Sequence, residues 1–313
     1  MCLFSMLFPG QGIQYNNMLS SFLNRENIFK NTFQEASEYI NFNLLNLMKN
    51  DSIEKINNEY IQTLILTSSI AIYRLWKKYN GKNPAFMSGH SLGEYSALVC
   101  SNAMNFKDAL KVVYLRGQFM QKIILNRSFL VQAIIGLDKK IIKKILKKYV
   151  NKTVSIASIN SKNQIIISGE TLDVHQVSLD CRKKGAKFIL NLNINIPVHN
   201  YLMKPVAKKI KYILNNIKIK KPIIPVINNV NVKCENHSKN IKTALIKQVY
   251  KTVRWKEIID FIKSKKIFTM LEIGPNNILT NLNKKNKNLV SLSTNNKKNF
   301  LYAFKKINKN YEK

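Results

Sequence analysis

The stretch MSGHSLGEYSALVCSNAM, residues 87–104, decides how the chain is read. Ser91 stands between Gly89 and Gly93, and His90 comes just before it. Upstream, AFMSG (85–89) has the look of a short buried strand, and downstream LGEYSALVCS reads as a helix. Strand, serine, helix is the layout of a nucleophile elbow, in which G-x-S-x-G forces a sharp turn and presents the serine oxygen. The two glycines are needed because side chains there would collide across the turn. The helix that follows turns its free N–H groups and its dipole toward any negative charge formed at Ser91. The Leu92 N–H, next after the serine, is the natural first donor to an oxyanion. The five-residue pattern alone also fits a serine that merely caps a helix.

Composition sets the bounds. The chain has 313 residues, 45% of them hydrophobic, enough to bury a large core and too apolar for a disordered chain. No apolar run is long enough to span a membrane without lysine or asparagine breaking it. The start, MCLFSMLFPGQG, reads as a first strand entering a turn and not as a signal peptide. The four cysteines, Cys2, Cys100, Cys181 and Cys234, have no C-x-x-C spacing, which points to free thiols in a reducing, cytoplasmic setting and to no metal site. The formal net charge is +34. Such a balance suits a nucleic-acid or membrane surface, or an acidic protein partner. Yet the basic residues run along the whole chain and accompany asparagine and isoleucine, as AT-rich coding would produce, so they do not mark one patch.

Periodicity supplies the organisation. Residues 2–8 read as a strand ended by Pro9-Gly10-Gln11-Gly12. Helices are expected over 28–40, 61–79 (closed by Gly81) and 107–125. From Asn126 the pattern changes. FLVQAIIGL (129–137) is strand-like, and a helix follows with Asp138 as its N-cap. Strands at 154–160 and 164–170, a helix from Thr171 to Gly185 and a strand at 187–194 complete the unit. The order β-α-β-β-α-β is the ferredoxin-like one. The expected fold is therefore α/β: a large α/β-hydrolase-like body with a parallel sheet (1–125 and 197–313) and an inserted small ferredoxin-like subdomain (126–196). Residues 200–216 and most of 238–263 are expected to be helical, 222–230 extended, and 266–274 a strand before a short helix.

A serine hydroxyl needs a base. The chain has four histidines, His90, His175, His199 and His237. His90 is directed away by the turn, His175 lies on a polar helix and His237 in a loop. His199 follows Ile196-Pro197-Val198, where the chain re-enters the large body and a cleft would form. The residues alone favour His199 without excluding a structural histidine.

Together these segments resemble the malonyl-CoA:acyl-carrier-protein transacylases, over nearly the whole chain. The likeness runs through FPGQG (8–12), GHSLGEYSALV (89–99), RGQFM (116–120), AIIGL (133–137), LMKP (202–205), NNVNVKCE (228–235) and EIGPNNILT (272–280). The resemblance implies Ser91 as nucleophile, His199 as base, and the N–H groups of Gln11 and Leu92 as an oxyanion hole. It implies that the Gln248 main-chain carbonyl orients the histidine, that Arg116 grips the substrate carboxylate beside a Gly117 that leaves room for it, and that Asn160 lines the cleft. It further implies malonyl-CoA and acyl carrier protein as partners, with no nucleic acid, no membrane, no metal and no bound cofactor. The chain departs from the family's usual pattern at NRSFLVQ (126–132), at Val198 before the histidine and at YKTVRW (250–255). A serine thioesterase or esterase with the same pair, or a basic nucleic-acid-binding protein, are the other readings.

Overall fold

The computed structural model describes residues 3–12, 20–23, 26–49, 57–124, 127–149, 153–284, 286 and 288–308. Cys2, Asn126, the end of the helix expected over 107–125 and Val150 lie outside the described residues.

Strand β1 (Phe4–Phe8) is buried at every position, as a strand covered on both faces must be. After it come α1 (Ser20–Leu23), α2 (Asn27–Ile40), α3 (Leu44–Lys49), α4 (Asn58–Lys78), β2 (Phe86–Gly89), α5 (Gly93–Cys100) and α6 (Phe106–Gln121). Next are β3 (Phe129–Ile135), α7 (Lys139–Leu146), β4 (Ser155–Ser161), β5 (Gln164–Glu170), α8 (Thr171–Lys183) and β6 (Phe188–Asn191). The chain ends with α9 (Lys204–Asn215), β7 (Val226–Ile227), α10 (Ser238–Gln248), α11 (Trp255–Ser264), β8 (Thr269–Glu272), α12 (Ile278–Lys284), β9 (Val290–Ser293) and α13 (Lys297–Asn308).

Two separate sheets make this an α/β fold. The first has the order β7-β2-β1-β8-β9, and every neighbouring pair is parallel. β1 is first in the chain yet central, so strand order runs outward from it in both directions. Such a switch point opens a crevice at the carboxyl ends of the strands. There β1 delivers Pro9 to Gly12 and β2 delivers His90 and Ser91 side by side. The second sheet, β4-β5-β3-β6, is antiparallel throughout. Period-two alternation divides its faces: Ile165 and Ile167 pack with Val174, Val177 and Cys181 of α8, while Ile166 turns the other way beside Val131, Ala133 and Ala157. That second face looks into the crevice.

Most expected elements are present, with instructive exceptions. Asp138 caps α7, accepting the Lys140 N–H at 2.7 Å. Gly185, at φ +92°, ends α8. At the end of α4 the left-handed residue is Asn80 (φ +57°), one place before Gly81, whose N–H closes onto the Trp76 carbonyl at 2.9 Å. Helix α4 is buried nearly all round and not along one stripe, because α2, α5 and α6 all pack on it. The helix expected over most of 238–263 is two helices. Between them Val253 pairs with β4: its N–H reaches the Ala157 carbonyl and its carbonyl takes the Ile159 N–H, both at 2.9 Å. That strap ties the two sheets together. α3, β9 and α13 are further elements for which the periodicity raised no expectation.

Candidate active site

The turn after β2 fits its glycines tightly. A Cβ on Gly89 would lie 1.8 Å from the Gly93 carbonyl carbon, and one on Gly93 would lie 2.1 Å from the Phe8 carbonyl oxygen. Both distances are impossible, so only hydrogen fits where β1, β2 and α5 meet. Ser91 itself has φ +53°, a left-handed conformation costly for a non-glycine residue. What holds it there is Asn229, whose Oδ1 accepts the Ser91 N–H at 2.7 Å and whose Nδ2 donates to the Gly89 carbonyl at 2.6 Å.

His199 comes to Ser91 from 108 positions away in sequence, and Ser91 Oγ lies 2.7 Å from His199 Nε2. The other ring nitrogen, Nδ1, is 2.7 Å from the Gln248 main-chain carbonyl, which can only accept. Nδ1 therefore carries the proton, and the Nε2 lone pair faces the serine hydroxyl. His199 is also left-handed, at φ +56°. Both its neighbours are fastened to the second sheet: Ser168 Oγ donates to the Val198 carbonyl at 2.7 Å, and Asn200 Nδ2 donates to the Thr153 and Ser168 carbonyls at 2.6 and 2.8 Å. Burial, and then the positive charge of Arg116, push the His199 pKa down to about 3, so the imidazole is neutral at pH 7.

A cavity of ≈ 740 Å³ opens over this pair, within the size range of small-molecule sites. Gln11, Leu92, Arg116 and Asn160 line it together with Ser91 and His199, so the structure brings all of these expected residues to one place. The Gln11 loop lies against the elbow, since a Cβ on Gly10 would stand 2.5 Å from the His90 carbonyl oxygen. Gln248 sits behind the histidine and does not line the cavity. Asn160 is turned toward His90: its Oδ1 lies 3.0 Å from His90 Nε2 and accepts from Ser158 Oγ at 2.5 Å. His175 and His237 are exposed and take no part.

Arg116 is 2% exposed, and its Nη1 donates to Gln62 Oε1 at 2.6 Å. Its Nε is buried with no hydrogen-bond partner among the described residues, and no carboxylate there pairs with it. A buried guanidinium without a counter-ion is costly to fold and suited to an anionic ligand. The room expected beside Gly117 is filled by α4 instead: a Cβ at Gly117 would meet the Glu59 Cα at 2.3 Å. Gly117 lets two helices approach.

Gln62, Glu94 and Asn229 escaped the reading of the sequence. Glu94 stands inside the quoted motif, but an acidic residue in a helix's first turn is common. Gln62 interrupts an apolar helix (QTLILTSS), a signal that could have been read. Asn229 had no local signal.

A parallel-sheet fold, a left-handed serine after the second strand and a neutral imidazole at 2.7 Å form a candidate serine–histidine site of the class that acyl-transferring enzymes use. The family model described as acyl transferase domain matches residues 5–311. The chain belongs to the acyl transferase family, among the malonyl CoA-acyl carrier protein transacylases. It is 67% identical over 306 residues to the malonyl CoA-acyl carrier protein transacylase of Buchnera aphidicola subsp. Schizaphis graminum, covering 97% of this chain and 99% of the relative. Among solved structures it matches the malonyl-transacylase of a complex with a type II PKS acyl-carrier protein, with a TM-score of 0.94 and 37% identity over 97% of this chain and 99% of that one. The malonyl CoA-acyl carrier protein transacylase of Coxiella burnetii gives a TM-score of 0.94 at 34% identity, covering 98% of each chain. No described helix is long and apolar enough to cross a membrane.

Proposed function

We propose that the protein moves a malonyl group from malonyl-CoA to the pantetheine thiol of acyl carrier protein, through a malonyl ester on Ser91. The observation that carries this reading is the 2.7 Å contact of Ser91 Oγ with His199 Nε2 in a cavity that also holds the guanidinium of Arg116, which has no counter-ion among the described residues. His199 takes the Ser91 proton as the serine oxygen attacks the thioester carbonyl. The Gln11 and Leu92 N–H groups receive the negative charge that moves onto the carbonyl oxygen, and a donor of this kind is worth about 10²–10³ in rate. The thiol of CoA leaves with the proton from His199. The carrier thiol then attacks the ester, giving its proton to the same nitrogen, and Ser91 is restored. Arg116 holds the malonyl carboxylate in both halves, and Asn160 lines the same cavity. Both half-reactions exchange an acyl group between sulfur and oxygen, with no electron transfer, so this chemistry requires neither metal nor redox cofactor.

The reading extends to the architecture. The β-α-β-β-α-β order and the sheet order β4-β5-β3-β6, with α7 and α8 on one face, support a ferredoxin-like subdomain over 126–196. It is inserted in an α/β-hydrolase-like body formed by 1–125 and 197–313, and the cleft between them is the substrate site.

The test is the intact mass of the protein mixed with malonyl-CoA. A malonyl adduct on Ser91 that is discharged by pantetheinylated acyl carrier protein is the expected result. Rapid discharge by water alone would make the protein a thioesterase, and indifference to Arg116→Ala would remove the carboxylate assignment.

A further inference from the structure

We propose that Glu94 is a positioning residue for the transfer, the carboxylate that locks the serine half of the reacting pair to the histidine half. The proposal rests on the reading of Ser91 and His199 as the reacting groups. Glu94 is 2% exposed and, in a chain with a formal charge of +34, pairs with no lysine or arginine among the described residues. Instead its Oε2 accepts two N–H groups, from Gln248 Nε2 at 2.7 Å and from the Asn229 main chain at 3.0 Å. Each of those donors belongs to a residue that grips one reacting group. Asn229 clamps the Ser91 N–H and the Gly89 carbonyl across the strained turn. Gln248 presents its main-chain carbonyl to His199 Nδ1–H and sends its side-chain Nε2 to the Ser91 carbonyl at 3.0 Å. Segments separated by more than a hundred residues thus take their position from one carboxylate oxygen.

The Gln248 amide is oriented by both contacts together. Its Nε2 faces two acceptors, and its Oε1 is left buried without a hydrogen-bond partner among the described residues. An orphaned buried acceptor is costly, and the amide holds that orientation because the flipped one would set its oxygen against two acceptors at once, the Ser91 carbonyl and Glu94 Oε2. A misplacement of about 1 Å between reacting groups lowers rates by about 10²-fold, so a lock on their separation acts on the reaction itself.

A phosphonofluoridate reads the pair without reference to any acyl substrate: Ser91 Oγ bonds to phosphorus, fluoride leaves, and the Ser91 proton passes to His199. The full chain is compared with Glu94→Gln, which keeps the size of the side chain, with Gln248→Ala and with the double variant. Labelling rates are measured alongside kcat and KM for malonyl-CoA. Glu94→Gln is expected to slow labelling and kcat together by about 10-fold or more, since the loss is one of alignment. KM is expected to stay within about twofold, and the double variant to be no slower than the slower single one. Wild-type labelling by Glu94→Gln, a loss confined to KM, or strictly additive losses would each overturn the proposal. Should Glu94→Gln fail to fold, Gln248→Ala tests the same link from its other end, with the same loss expected and wild-type labelling overturning it. A wild type that does not label at Ser91 defeats the reacting pair and this proposal with it. Normal labelling without malonyl transfer defeats only the acyl assignment and leaves the role of Glu94 standing.

Discussion

The role of base proposed for His199 requires an uncharged imidazole, and burial and the nearby Arg116 keep it uncharged. The sign of the Arg116 effect is specific. A neighbouring cation disfavours imidazolium, so Arg116→Gln raises the His199 pKa from about 3 toward its ordinary 6.5. The acid limb of Ser91 labelling is then expected at higher pH than in wild type, and a pH series of labelling rates checks it. On the proposed reading, a malonyl carboxylate on Arg116 would neutralise the same charge, and substrate binding would make the base stronger. The pKa also bears on stability. The unfolded chain takes up a proton on this histidine below about 6.5, and the folded one only near 3. The contribution is complete above 6.5 and is lost as the pH falls toward 3, by at most about 1.4 kcal/mol per pH unit. The difference in unfolding free energy between wild type and His199→Gln, measured in denaturant from pH 7 to 4, is expected to shrink with this slope. For activity, His199→Ala is expected to lower malonyl transfer by about 10²–10⁴-fold. Ser91→Ala is expected to leave no malonyl adduct in the intact mass spectrum.

At the scale of elements, the β2–turn–α5 unit is a collision avoided by two glycines. Gly93→Ala would drive a Cβ into the Phe8 carbonyl oxygen of β1. That overpacking is expected to cost about 1–3 kcal/mol or more, read as a lower midpoint in thermal unfolding. This element was legible from five residues because its constraint is local. The break between α10 and α11 was not. Residues 249–254 have helical neighbours on both sides, but β4 offers them an unpaired edge, and backbone hydrogen bonds to that edge outweigh propensity. Val253→Pro removes the N–H that reaches the Ala157 carbonyl. It is expected to lower stability and to loosen the segment that holds His199, slowing Ser91 labelling more than it alters malonyl-CoA KM. β9 and α13 went unread because their asparagine- and lysine-rich sequence (LVSLSTNNKKNF) carries little contrast between faces.

For the whole molecule the unbalanced charge matters most. With 51 Lys and Arg against 17 Asp and Glu, like charges repel across the surface and favour the expanded chain. Screening relieves this, since the Debye length falls from about 30 Å at 0.01 M to about 8 Å at 0.15 M salt. The thermal midpoint is expected to rise when NaCl is increased over that range, and an unchanged or falling midpoint would contradict it.

What the sequence by itself determined is what depends on neighbours along the chain. The alternation and 3.6-residue periods set the two kinds of sheet, the glycine spacing set the elbow, and the caps at Asp138 and Gly185 set helix ends. The convergence of Ser91, His199, Arg116 and Gln11 was reached in the sequence through resemblance, for nothing local in His199 distinguishes it from a structural histidine. Only the tertiary structure decided that Gln248 and Asn229 meet on one oxygen of Glu94, that α4 occupies the space beside Gly117, and that a strap from 252–254 joins the sheets. Those contacts arise between segments far apart in sequence, where packing and the pairing of buried polar groups, and not local preference, select the partner.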